Sequence, residues 1–188
     1  MPIYEIDGKR PVIGAGTWIA PSAEIVGDVR IGRGCYIGFG AVIRADFGPI
    51  EIGDRAVVEE CVVIHAGQKA RVGARAIVGH LAMIHDAMVG PDTLVGMTSM
   101  ICEGAVLEPW SIVAEKSLVR RGQVIPSGKI YAGSPARVAG PLTDRHRTRL
   151  VEGQQAYARL ITLYRTCLLY TSDAADELDG VDLGGRRI

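Results

Sequence analysis

Aromatic side chains are scarce in this chain: two Trp, six Tyr and two Phe make up 5% of its 188 residues, although 48% are hydrophobic. A core built without them must be aliphatic, and 24 glycines make the backbone rich in turns. The combination points to a repeat architecture. No stretch is apolar for long enough to span a bilayer. MPIYEIDGKR at the N-terminus has neither the basic start nor the apolar run of a signal peptide, so a cytoplasmic protein is expected. Cys35, Cys61, Cys102 and Cys167 are scattered without a C-x-x-C pair, which suits reduced, packed thiols. The balance of 21 basic and 21 acidic residues offers no basic patch for nucleic acid. The length suits one domain with a core of its own.

What is abundant is a period of six. Ile13, Ile19, Ile25, Ile31, Ile37 and Ile43 follow one another at six-residue steps without a miss, and Gly follows the aliphatic residue in Ile31-Gly32 and Ile37-Gly38. The series shifts phase at RADFGP, resumes with Ile52, Val58 and Ile64, and after AGQKAR runs through Val72, Val78 and Ile84. It slips once more to Val89, Val95, Ile101, Leu107, Val113, Val119 and Ile125. Six residues do not keep one stripe on a helix of 3.6 residues per turn, so a helical reading fails. Hexapeptide repeats predict a parallel β-helix in which three repeats close one triangular coil and the aliphatic residues point into the prism.

After Pro141 the pattern changes. Leu150, Val151, Tyr157, Leu160, Ile161 and Tyr164 fall at helical spacings, and Thr143 or Asp144 can cap the start. A helix over 143–165 is expected, packed along the outside of the prism and weakened by Gly153, at about 1 kcal/mol relative to Ala. Beyond it, CLLYTSDAADE (Cys167 to Glu177) resembles the conceptual translation of a transposase-derived sequencing adapter, and VDLGGRRI (Val181 to Ile188) resembles its continuation. The expected organisation is a β-helix over 1–141, a helical segment over 142–166 and a non-native read-through tail over 167–188. Taking that tail's 2 basic and 5 acidic residues from the 21 of each leaves 19 and 16.

Only four histidines occur, and VGHLAMIH sets two of them five residues apart. If insertions bulge at corners, Ile43, Ile64 and Ile84 occupy one position on three successive coils, and the residues after them are Arg44, His65 and His85. Coils stack about 4.8 Å apart, so imidazoles on adjacent coils can share one metal with bonds near 2 Å. His80 lies roughly 12–16 Å of extended chain from His85 and cannot join that corner within one molecule. A common ion would take its third ligand from another subunit, and cyclic symmetry in a trimer would repeat the site three times. His146, among the arginines that open the helix, is expected to be an ordinary surface residue.

These residues resemble the γ-class carbonic anhydrase family, in the branch of the phenylacetate-operon and carnitine-operon proteins. The resemblance rests on VIRADFG (Val42 to Gly48), EECVVIH ending at His65, VGHLAMIH, VGMTSMICEGAVLEPWSIVAEKSLV and GSPARV, and it covers almost all of residues 10–141. It implies a left-handed β-helix and a homotrimer with zinc, or Fe2+ or Co2+, at each interface. The metal would be held by His65 and His85 of one chain and His80 of its neighbour. Three imidazoles leave a position open for water, whose hydroxide form attacks CO2 to give bicarbonate. Arg44 and Asp46 match the family's R-x-D element, which ties subunits together and orients the ligands. Glu59 stands where the family usually has Gln beside the water, and Glu60 where it usually has Asp. Phe47 occupies the place of a proton-transferring Glu, and the loop after His65 is short. Cys102, at the phase of the histidines one coil on, is read as packing, and Lys116, Arg120 and Arg121 as a solvated charged face. An acyl-CoA thioesterase or acyltransferase, on the fold shared with acyltransferases, and a non-catalytic trimeric metal-binding scaffold are the competing functions. Sequencing of the source DNA by another library chemistry is expected to yield a frame without the residues after Thr166; a tail that persists would refute the adapter reading.

Overall fold

The computed structural model describes residues 3–168, and the suspected adapter segment lies outside them except for Cys167 and Leu168. The repeat folds as expected into a left-handed parallel β-helix of about seven coils, followed by one helix. Ile25, Ile43, Ile64, Ile84, Ile101 and Val119 stack on the first face, each paired with the next coil, and all are fully buried. Ile31, Ile52, Val72, Val89, Leu107 and Ile125 stack on the second face. Ile37, Val58, Val78, Val95 and Val113 stack on the third. Two long strands, Glu24–Ile31 and Val42–Ile52, turn from the first face into the second and join them in a twelve-stranded sheet; the third face is an eight-stranded sheet.

The narrow prism explains the aliphatic composition. Two residues before most of the inward aliphatic residues stands a small side chain, such as Ala41, Ala56, Ala76, Ala82 or Ala105, buried at the corner. In later coils Thr93, Ser99, Ser111 and Ser117 take that place, and the Ser99 hydroxyl donates 2.9 Å to the Ala114 carbonyl. Hydroxyls are tolerated inside because each finds a backbone partner, a carbonyl for Thr93, Ser99 and Ser111 and the Gly133 N–H for Ser117, which removes the penalty of an unpaired buried polar group. The turns rest on residues in the left-handed region. Arg55, Arg75 and Asp92 have φ of 57°, 58° and 53°, and each backbone N–H reaches the carbonyl of the preceding coil at 2.8–3.0 Å. That bond offsets the roughly 1–2 kcal/mol that the conformation costs a residue with a Cβ.

Departures from the eighteen-residue coil all fall at one corner, where the first face turns into the second. Ile43 to Ile52 spans nine positions, Ile64 to Val72 eight, and Ile84 to Val89 five, whereas Ile25 to Ile31 spans the regular six. The extra residues of the first insertion, around Asp46 to Pro49, leave the ladder between Gly27 and Val29 of the coil below. Gly48 is required there, because a Cβ would collide with the Gln68 carbonyl of the next coil.

The helix runs Asp144–Cys167 and is capped by Thr143, whose backbone N–H donates 3.1 Å to His146 Nδ1. His146 therefore caps the helix. Leu150 and Ile161 are buried, and Tyr157, Leu160 and Tyr164 pack against the third face. Val151 departs from the expected stripe: it is part of the wall of a cavity of about 520 Å³ between helix and prism. Gly153 has a packing reason, since a Cβ there would stand 3.3 Å from Ile77 Cδ1. No described helix is long and apolar enough to cross a membrane. Replacing fully buried Ile64 by Ala is expected to lower the unfolding free energy by about 2–5 kcal/mol. Val124→Thr, at an outward position 49% exposed, is expected to change it by less than about 0.5 kcal/mol, both read by urea unfolding at fixed protein concentration.

Candidate metal centre

The register brings Arg44, His65 and His85 into one column at the corner of the insertions. Arg44 pairs with His65 and His65 with His85 across adjacent coils. The two imidazole rings lie 5.2 Å apart at 56°. Asp46, two residues beyond Arg44, turns back from the inserted loop, and its Oδ1 is 3.0 Å from His65 Nε2 while Oδ2 pairs with the Arg44 guanidinium of the same chain. Burial pushes the Asp46 carboxyl upward, but hydrogen bonds from His65, its own backbone N–H and Arg44 outweigh it and hold the carboxyl below the usual carboxylate range. Asp86 ties down the loop after His65, accepting the backbone N–H groups of Gln68 at 2.7 Å and Lys69 at 3.1 Å. Phe47 is 73% exposed and sets its ring edge-on to His65, with centroids 6.1 Å apart. Cys102 continues the column beyond His85, half-buried, and burial pushes its thiol up.

His80 occupies a different corner, where the third face turns into the first, and it carries two carboxylates. Glu59 Oε2 accepts the His80 backbone N–H at 3.0 Å and lies 3.0 Å from the ring Nε2. Glu60 Oε2 is 2.7 Å from Nδ1. Gly38 on the neighbouring coil leaves room for this pair, since a Cβ there would stand 2.8 Å from the Glu59 backbone and from Glu60 Oε1. One of these carboxylates is anchored by a tyrosine under the helix: Tyr36 donates 2.6 Å to Glu60 Oε1, while Tyr157 of the helix lines the same cavity as Glu59. Burial, and then these carboxylates, push both phenols well above the ordinary tyrosine value.

Within one chain the two corners stay apart, separated by the width of the first face. Among the described residues, no group of three or more His, Cys, Asp or Glu side chains could hold a metal ion in a single molecule. The donor set nonetheless suits a divalent ion of borderline softness, for which imidazole is a preferred ligand. Two imidazoles converge on one corner, and a third stands on another. Sequence reasoning missed the tyrosine anchor and the part played by Asp86. One signal was present: Trp18 and Tyr36 are eighteen residues apart, and five of the scarce aromatics (Trp18, Tyr36, Phe39, Tyr157 and Tyr164) gather in one cluster.

The chain is similar to known hexapeptide-repeat proteins. The family pattern "Bacterial transferase hexapeptide (six repeats)" matches residues 10–45. The chain is 36% identical over 147 residues to the carnitine operon protein CaiE of Proteus sp. (strain LE138), covering 77% of this chain and 75% of that one. It is 32% identical over 170 residues to γ carbonic anhydrase 2, mitochondrial, of Arabidopsis thaliana, covering 86% of this chain and 61% of that protein. The chain thus spans about three fifths of the plant protein's length. A crystal structure of a hexapeptide transferase family protein from Anaplasma phagocytophilum superposes with a TM-score of 0.84 at 31% identity, covering 87% of this chain and 98% of that one.

Because the two phenols hold their protons in the folded state at pH values where an unfolded tyrosine loses them, stability is full below about pH 10 and falls as pH rises above it. The urea midpoint is expected to drop between about pH 8 and about pH 11, and to drop less in Tyr36→Phe.

Proposed function

The chain belongs to the γ-carbonic-anhydrase-like family of hexapeptide-repeat proteins, and from that premise we propose that it catalyses metal-dependent, reversible hydration of CO2 to bicarbonate at the interfaces of a homotrimer. One observation carries the reading: His65 and His85 stand in register on adjacent coils, while His80 stands a face away on a corner of its own. His65 and His85 of one chain and His80 of the next would hold zinc, with iron or cobalt suited to the same ligands. When bound, the ion supplies the Lewis acidity that makes water a nucleophile near neutral pH.

The remaining work falls to residues of this chain. Asp46 fixes the ring of His65 and is itself balanced by Arg44. Glu60 fixes the ring of His80 through Nδ1. Glu59, nearly buried beside His80 Nε2, is placed to take the proton that hydration releases. Onward transfer is the weak step, because Phe47 puts an apolar ring over His65 where the family carries a titratable side chain. Fast turnover needs that proton exported at every cycle, so buffer in solution has to accept it.

Acyl transfer or CoA-ester hydrolysis is the second reading, favoured by the match to the transferase hexapeptide pattern and by the likeness to the hexapeptide transferase structure. Stopped-flow CO2 hydration with zinc-loaded protein is expected to show a rate that rises several-fold with buffer concentration and is lost in His80→Ala. The same protein is expected to release no thiol from a panel of acyl-CoA esters. A rate no higher than that of His80→Ala, despite about one zinc per chain, would refute CO2 hydration.

A further inference from the structure

The aromatic cluster under the helix bears on His80. Tyr36 is 1% exposed, with its ring stacked on Trp18 at 5.0 Å and 23° and set against Tyr157 at 4.7 Å. A phenol held in this way keeps its oxygen in one place, and its hydroxyl donates 2.6 Å to Glu60 Oε1. The other oxygen of the same carboxylate meets His80 Nδ1 at 2.7 Å. Glu60 is 32% exposed along its side chain and would otherwise be free to change rotamer.

From this chain of contacts we propose that Tyr36 is a positioning residue for the metal site, holding His80 in its ligating orientation and tautomer through Glu60. The proposal rests on the reading of His80 as a ligand. A carboxylate that accepts from Nδ1 keeps the ring proton there and leaves the Nε2 lone pair for an ion. The clamp is needed because Glu59 Oε2, 3.0 Å from Nε2, competes for the same ring. With Glu60 loosened, the ring proton can move to Nε2, where Glu59 accepts it, and that nitrogen is lost to an ion. Tyr36 thus couples the ligand corner to the helix, whose Tyr157 and Tyr164 close over the same ring.

The test measures zinc affinity on the full chain by chelator competition, with the cobalt(II) absorption spectrum as a reading of ligand geometry. Tyr36→Phe keeps the stacked ring and is expected to weaken zinc binding about tenfold, the lower end of what outer partners of metal ligands contribute. Glu60→Gln is expected to weaken it at least as much, and the double variant no more than Glu60→Gln alone. Glu60→Asp draws the carboxylate away from both the hydroxyl and His80 Nδ1 without touching the aromatic cluster. It is expected to weaken binding at least as much as Tyr36→Phe, and it serves alone if Tyr36→Phe does not fold. Affinity and cobalt spectrum unchanged in Glu60→Asp, or in a folded Tyr36→Phe, would overturn the proposal while leaving the metal site standing. So would losses that simply add in the double variant. If His80→Ala binds zinc as tightly as the unaltered chain, the ligand reading and the proposal fall together.

Discussion

Each coil of the prism hangs its backbone N–H groups on the carbonyls of the next, and the resulting spacing of about 4.8 Å sets the other distances in the molecule. It makes the interior a ladder of identical rungs, which only aliphatic side chains of similar volume can fill without voids or strain. It also converts sequence separation into spatial adjacency. Residues one coil apart touch, whatever lies between them in the chain. His65 and His85 are neighbours for that reason alone, and Arg44 precedes them in the same column.

A ladder this regular has little scope for chemistry except where it is interrupted. The interruptions all occur at the corner that bears the stacked histidines, so the loops they create carry Asp46 and Phe47 against His65. Tolerance of insertions at a corner follows from the fold, because a residue that leaves the ladder outward disturbs no interior rung. Fixing such a loop needs separate contacts, and Asp86 supplies them from the next coil through two backbone N–H groups. Gly48 is the geometric cost of the same insertion, since two backbones approach too closely there for any side chain.

The His80 corner is organised by different means. No insertion serves it; its support comes from Glu59 and Glu60, the latter held by Tyr36 between prism and helix. Low aromatic content and this clustering are linked: the prism has no space for rings inside, and five of the ten present are used on the outer face that the helix covers. The helix is thus more than a cover for an apolar stripe, since it fixes the groups that hold the ring of His80.

The sequence by itself determined the coil, its three aliphatic stacks, the phase slips, the helix and the column of Arg44, His65 and His85, because all of these follow from counting along a backbone whose period is fixed by its hydrogen bonds. It also separated His80 from that column. What only the tertiary structure decided was which side chains hold which. Asp46 turns back onto His65 because its loop leaves the ladder, and a loop has no period to count. Tyr36 reaches Glu60 across coils, and Tyr157 lines the same cavity as Glu59, because the helix seats against the third face. Periodicity states which way a residue points; it does not state how far its side chain extends or what packs over it, and those lengths and contacts arrange the polar groups around the histidines.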